Sequence, residues 1–357
     1  MRRAITVLAV AAIVLSSLTA IRAAPGRPYE GRTFSVFVGI SPLAREDTAA
    51  YIAPRLKEKW GVDLSFELMG STAMVEKIIV QRANPRVSVA NWDEPVGIDA
   101  CAKGLCANID LNKIPNIKDV NPIAIHKIDG NVRVLTASIG GVGLIYNRYE
   151  FGRRGLKPPT SWYDLWRDDV RGRVSVTALE STWGLSMLAM FAKLEGGRET
   201  NVEPAFAKLK TLLPRIHTIH TWSSELAKLM QLGEVWLSTT GANMGPALQA
   251  QGFPAEWIAP KEGAAAIGGG TSIIANAPLQ DVAHDYLNLV LSPEFQALRA
   301  RNGGLGPVNR AAFAKLTEKE KQALPIKPLT KLVPLDWASI MRDRQGWIER
   351  WHREIRK

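Results

Sequence analysis

Residues 140–196 decide the reading of this chain: GGVGLIYNRYEFGRRGLKPPTSWYDLWRDDVRGRVSVTALESTWGLSMLAMFAKLEG. The apolar run at 142–146 predicts a strand. Pro158-Pro159-Thr160-Ser161 then opens a short helix carrying Trp162, Leu165 and Trp166. After Gly172 a second strand is expected at 173–177. It ends at a polar corner, Glu180-Ser181-Thr182, and a helix follows over 182–194. In open α/β sheets a ligand sits outside the carboxyl ends of the strands. Unpaired N–H groups of the next helix face the same space. The corner is therefore the first candidate for a binding site.

Upstream, residues 33–38 and 62–68 alternate polar and apolar, and both read as strands. Between them, 48–60 has helical spacing through Ile52, Leu56 and Trp60. A helix near 73–82 and a strand at 87–90 complete a strand–helix–strand–helix–strand series, which predicts a parallel sheet with right-handed crossovers. Each strand ends on a polar loop: Gly39-Ile40-Ser41, Gly70-Ser71-Thr72 and Asn91-Trp92-Asp93. Ser71 or Thr72 serves equally as a helix N-cap, which leaves other N–H groups free. A further strand is expected at 132–137. Gly140, Gly141 and Gly143 after it mark either a hinge crossing or an ordinary tight turn.

Downstream, helices are expected at 202–213 and 224–232. A strand at 234–238 should precede Thr239-Thr240-Gly241-Ala242-Asn243. Gly268-Gly269-Gly270 with 271–275 reads as a return crossing. Helices follow at 282–291 and 295–301, and Thr317 with Glu320 forms a capping box. The last helix, 336–356, lines up Trp337, Ile340, Met341, Trp347, Ile348, Trp351 and Ile355 on one side. Its other side is Arg-rich, so it is read as packed on a lobe in preference to a membrane surface.

The succession GLIYN, PPTSWYDLW, RGRVSV and a hydroxyl-bearing helix start resembles the bacterial extracellular solute-binding proteins of ABC importers. The nearest branch is the polyamine (spermidine/putrescine) type, whose relatives bind ferric iron, thiamine or aminophosphonates. IDLNKIPNIKD at 109–119, Pro-x-Glu-Gly at 260–263, AHDYLNLVLSPEFQ at 283–296 and GGLGPVN at 303–309 continue the resemblance, over residues 32–312 in all. It implies an α/β chain with the two-lobe periplasmic binding protein fold (type II), parallel-sheet lobes joined by hinge crossings. It also implies a solute trapped between the lobes and delivered to a membrane permease driven by a cytoplasmic ATPase. The expected organisation is a signal peptide at 1–23, the first part of lobe 1 at 24–140, lobe 2 at 141–268, a return to lobe 1 at 269–312, and C-terminal helices packed on the lobes at 313–357.

Composition agrees with a soluble globular chain: 46% hydrophobic and 22% charged residues leave no room for a disordered or collagenous reading. Met1-Arg2-Arg3, the apolar stretch 5–15 and Ala20-Ile21-Arg22-Ala23-Ala24 read as a secretory signal peptide, which implies a periplasmic protein. Export gives Cys101 and Cys106 a meaning. They are the two cysteines of the chain, and in an oxidising compartment a local disulfide leads over two reduced thiols. The net charge of +11 favours an anionic solute modestly, or is simply a soluble surface. No basic–aromatic module supports nucleic acid as a partner. A monomer without cofactor or metal is expected.

Enzyme signatures are missing: there is no G-x-S-x-G elbow, H-E-x-x-H, P-loop or dinucleotide fingerprint. His217 and His220 are placed on a strand or loop. Polyamine binders bracket each ammonium with a carboxylate and an aromatic face, because a desolvated cation needs both. After Pro-x-Glu-Gly they place a Trp and then an Asp. The matching residues here are Ile267 and Gly269, so both groups are lost, and of the acids near the corner only Glu180 remains. Iron binders use adjacent tyrosines, and none of the six Tyr here has a Tyr neighbour.

What remains is a set of hydroxyls and Trp residues. Ser41, Ser71, Thr72, Ser181, Thr182, Thr240 and Thr271 can donate to an oxyanion. Trp92, Trp183 and Trp222 can cover an apolar body or an ammonium, or sit in the core. Asp93 or Glu180 can hold an amine. Trp162, Trp166, Trp236 and Trp257 are assigned to packing. The expected solute is small, organic and carboxylate- or phosphonate-bearing, or zwitterionic. The alternatives are an exported ligand-sensing subunit of a signalling system, or a periplasmic hydrolase.

Overall fold

The strands run β1 (Thr33–Val38), β2 (Asp63–Leu68), β3 (Val89–Asp93), β4 (Ile125–Ile128), β5 (Asn131–Asn147), β6 (Val174–Thr177), β7 (Ile216–His220), β8 (Leu237–Gly241), β9 (Ala255–Ile258) and β10 (Ala264–Ile273). This computed structural model describes residues 27–39, 42–303, 305–327 and 330–355. The expected signal peptide lies outside the described residues, as does Ser41. The sheet order is β2-β1-β3-β10-β5-β8-β6-β7.

One plan is used twice. β1 pairs in parallel with β2 and β3. β6 pairs in parallel with β7 and β8. An antiparallel strand completes each unit: β10 lies beside β3, and β5 beside β8. Parallel strands are covered on both faces; every residue of β6 and β8 is buried, their Ser and Thr hydroxyls included.

β5 and β10 join the two units. They pair with each other antiparallel from Leu135 to Val142 of β5. Further along, β5 pairs with β8 and β9. Two strands separated by glycines were expected at 132–137 and 142–146; one strand of 17 residues runs through both. The glycines serve close approach instead of a turn. A Cβ at Gly141 would lie 3.1 Å from the Ala264 Cβ, and one at Gly143 would lie 2.6 Å from the Ile258 carbonyl oxygen. Likewise β10 continues through Gly268-Gly269-Gly270, with a register shift between Gly269 and Gly270.

The corner after β6 folds as expected. The helix Thr182–Leu194 is capped by Ser181 and buried continuously over 184–192. A helix apolar on every side must be enclosed; here the sheet, the helix Glu203–Leu212 and the C-terminal helix Trp337–Glu354 enclose it. It stops where Gly196 takes φ 82°.

The two sequence markers PPTSWYDLW and Pro-x-Glu-Gly meet in space. Ser161 Oγ donates to Glu262 at 2.6 Å, and Trp162 Nε1 donates to the Gly263 carbonyl at 2.8 Å. The Trp162 ring then packs edge-on against Phe191, centroids 5.7 Å apart.

Cys101 and Cys106 are joined in a disulfide, which closes the turn after the helix Glu94–Ala102. The C-terminal helix packs against helices of both units, Glu94–Ala102 and Thr182–Leu194. Trp337, Ile340, Trp347 and Trp351 are buried beneath it.

Candidate functional site between the lobes

Two adjoining cavities, of about 200 and 220 Å³, share Asp93, Ser138 and Gly269. They lie at the carboxyl ends of the parallel strands, where the sheet passes from one unit to the other.

The first cavity is built on β1 and β3. Strand alternation puts Asn91 and Asp93 on one face and Trp92 on the other. The Asn91 amide donates to the Tyr286 hydroxyl at 2.8 Å and accepts from Thr271 Oγ1 at 2.8 Å. Ser71 and Asp93 clasp each other: the Asp93 N–H donates to Ser71 Oγ at 2.9 Å, and that hydroxyl donates back to Asp93 Oδ2 at 3.1 Å. Burial pushes the Tyr286 hydroxyl pKa up, so it stays protonated. Arg299 also lines this cavity. One of its terminal nitrogens donates to Asp47 at 2.7 Å, and its other N–H groups have no protein partner among the described residues. No Lys, Arg or His lies within ion-pair distance of Asp93 among the described residues.

The second cavity is lined by Thr182, Trp183, Gly241 and Asn243. Ser181 accepts from the Trp183 N–H at 3.1 Å, which sets the first turn of the helix. The Trp183 ring lies over Gly241: a Cβ there would be 2.6 Å from the ring.

The cavities thus gather Ser71, Asp93, Thr271, Thr182 and Trp183 of the expected set. The others are placed differently. Trp92 borders the first cavity, but its ring packs against Gly97 in the core, 3% exposed. Ser181 is the helix cap. The Glu180 carboxylate lies 3.3 Å from His352 of the C-terminal helix and lines neither cavity. Thr72 is exposed, outside both cavities. Thr240 is buried within β8, and its Oγ1 has no hydrogen-bond partner among the described residues. Trp222, 71% exposed, precedes the helix Ser223–Gln231 and lines neither cavity. Trp162, Trp236 and Trp257 are buried, as expected of packing residues.

Sequence reasoning missed Tyr286, Arg299 and Ser138. The first two stand on helices that return to the first unit late in the chain, and no local spacing ties Arg299 to Asp47. It also missed a buried group behind the cleft. Glu94, 5% exposed, accepts from Thr136 Oγ1 at 2.9 Å, and the Gly268 backbone lies beside its carboxylate and favours its charged form. Burial raises its carboxyl pKa to about 7 against both effects.

The two histidines of β7 are not a metal pair. His220 is buried, with Ser175 Oγ 2.6 Å from its Nδ1. His217 is partly exposed, 3.5 Å from Glu234. The Ser175–His220 pair is closed to any solute by the sheet around it.

Residues 50–328 match the bacterial extracellular solute-binding protein family. The spermidine/putrescine-binding periplasmic protein of Escherichia coli (strain K12) is 26% identical over 218 residues, 59% of this chain and 60% of that protein. An ABC transporter structure from Clostridium perfringens superposes with TM-score 0.78 at 21% identity, covering 91% of this chain and 99% of that one. The periplasmic binding protein AfuA from Actinobacillus pleuropneumoniae, with fructose-6-phosphate bound, gives 0.69 at 24% identity, covering 91% and 99%. Its two units are the lobes of the type II periplasmic binding protein fold, and the chain belongs to the bacterial extracellular solute-binding proteins.

Proposed function

We propose that the protein captures a small zwitterionic solute in the periplasm, between its lobes, and delivers it as a monomer to an ABC permease and its ATPase. The ammonium end sits at Asp93 beneath Trp183. The carboxylate or phosphonate end sits toward Arg299 and the hydroxyls of Ser71, Thr271 and Tyr286. The lobes change over where β5 passes Gly140-Gly141 and β10 passes Gly268-Gly269, giving lobe 2 as 141–268. Closure follows binding, because the solute reaches both walls only when they approach.

The carrying observation is the charge inventory of the cleft. Among the described residues its walls present one carboxylate without a cationic partner, Asp93, and one guanidinium with N–H groups to spare, Arg299. Asp93 is exposed in the open cleft, and Arg299 keeps Asp47 as its counter-charge. Lobe closure would bury the Asp93 carboxylate, and a buried ion needs a counter-charge or hydrogen bonds. An ammonium there, with an anionic end toward the spare Arg299 N–H groups, meets that need. Fold similarity does not choose the solute. Relatives are named for spermidine and putrescine in one case, and hold fructose-6-phosphate in another.

A thermal-shift screen of amino acids, opines, aminophosphonates, thiamine and polyamines tests the reading. A zwitterion at a hundred times its Kd should add about 2.7 kcal/mol of stability. Stabilisation by spermidine or putrescine alone would overturn it.

A further inference from the structure

We infer that Glu94 is a positioning residue that couples solute capture to proton release: its ionised carboxylate bonds the helix behind the cleft to one crossing strand and lies against the other, and the solute's ammonium at Asp93 drives it into that form. The inference rests on the proposed zwitterion reading of the cleft.

Glu94 opens the helix Glu94–Ala102, directly after Asp93. Its carboxylate is hydrogen-bonded to β5 through Thr136 and lies against the backbone of β10 at Gly268. These are the two strands that pass between the lobes. Gly268 lines the second cavity on one side and meets Glu94 on the other: a Cβ at Gly268 would lie 2.9 Å from Glu94 Oε2. One backbone residue therefore separates the carboxylate from the solute space. The Gly269/Gly270 register shift comes next along the same strand.

Behind Glu94 stands a short chain of hydrogen-bonding groups, Thr136 and His126. The Thr136 hydroxyl donates to Glu94 Oε2, so its oxygen accepts from His126 Nε2, 2.8 Å away on β4. His126 Nε2 is also 3.5 Å from Glu94 Oε1. Burial lowers the His126 pKa to about 4, so this imidazole is neutral and does not neutralise Glu94.

Other charged groups on the elements around Glu94 point away from it: Arg133 of β5 donates to Asn108 Oδ1 and the Cys101 carbonyl, and Lys127 of β4 is exposed. Asp93 is bonded to Ser71, Asp99 to Lys103, and Lys77 of the helix Ser71–Val80 to Glu67. From the C-terminal helix, His352, Arg350 and Glu354 reach Glu180, Glu203 and Lys210 of lobe 2. A cation arriving at Asp93 is thus the charge that can shift the Glu94 equilibrium. Opposite charge nearby favours the ionised form, and linkage requires the bound state to hold fewer protons.

The probe is γ-aminobutyrate, a zwitterion that does not titrate between pH 6 and 8. Carboxyl carbon NMR of Glu94 should show a midpoint near neutrality in the free protein and a lower one with saturating probe. Calorimetry in two buffers of different ionisation enthalpy should show a fraction of a proton released per probe at pH 7. None should be released at pH 9 or in Glu94→Gln. Affinity should rise severalfold from pH 6 to pH 8 in the parent and stay flat in Glu94→Gln. Thr136→Val, which removes one hydrogen bond to the ionised form, should move the midpoint upward. Thermal stabilisation by the probe without a proton shift would sink the coupling and leave the cleft reading intact. If γ-aminobutyrate does not stabilise the protein, the same measurements are made with the zwitterion of the screen that does; stabilisation by no zwitterion would overturn both.

Discussion

Asp93 and Trp92 are neighbours with opposite fates, and strand geometry separates them. β3 extends through Asp93, so alternation sends the carboxylate into the cleft and the indole into the core. Asp93→Asn should therefore weaken zwitterion binding by about 2 kcal/mol, the loss of one charge-assisted hydrogen bond. It should leave the melting temperature of the free protein unchanged; calorimetry of both forms checks this.

Glu94 makes a separate prediction about stability. Its folded pKa, about 7, lies above the ordinary 4.5, so the folded chain holds this proton more tightly than the unfolded chain. That contribution is complete below pH 4.5 and is lost as pH rises through 7. His126 and His220 act in the opposite sense. Burial lowers both to about 4, so their contribution is complete above pH 6.5 and is lost as pH falls through 4. The melting temperature should peak near pH 6.5. Glu94→Gln should remove the alkaline decline, a gain of up to about 3 kcal/mol at pH 8, with no gain below pH 4.5.

At the scale of elements, the crossing strands depend on missing side chains. Gly143 leaves room for the Ile258 carbonyl and the Trp257 ring, at 2.6 and 2.8 Å from where a Cβ would stand. Gly143→Ala should cost about 1–3 kcal/mol by overpacking, whereas Gly155→Ala, which meets nothing within 4 Å, acts only through its positive φ. Denaturant unfolding of the two variants separates crowding from backbone strain.

Elements with a cap and an unbroken pattern were legible. The helix Thr182–Leu194 and the strand Thr33–Val38 begin and end where the sequence puts them. The strand expected at 234–238 begins at Leu237 instead, because the N–H groups of Gly233, Glu234 and Val235 are taken by carbonyls of the preceding helix. That shift draws Thr239 and Thr240 into the sheet, and Thr240 out of reach of the cleft. Hydroxyls at strand ends could be read because chain direction alone places them. Tyr286 and Arg299 could not, because packing across some two hundred residues brings them to Asn91 and Asp47.

Across the whole molecule, the C-terminal helix does more than cover one lobe. It packs against Glu94–Ala102 of the first lobe and Thr182–Leu194 of the second. Its ion pairs go to the second: Arg350 with Glu203, Glu354 with Lys210 and His352 with Glu180. The Arg350 guanidinium also stacks 4.1 Å from the Phe206 ring centroid. Arg350→Ala should loosen the helix from lobe 2, lowering the melting temperature and broadening the lobe separation seen by small-angle scattering. Arg342→Ala, whose partner Asp343 is its own neighbour, should do neither.

The position of β10 also governs the order of assembly. It lies between β3 and β5, yet it is made more than a hundred residues after β5 begins. A chain delivered from its N-terminus therefore holds an unfinished first sheet, with two strand edges waiting, while the intervening lobe is free to fold around β6. Such a chain stays threadable until its last third emerges. The early lobe cannot complete its sheet until that late strand is in place between β3 and β5.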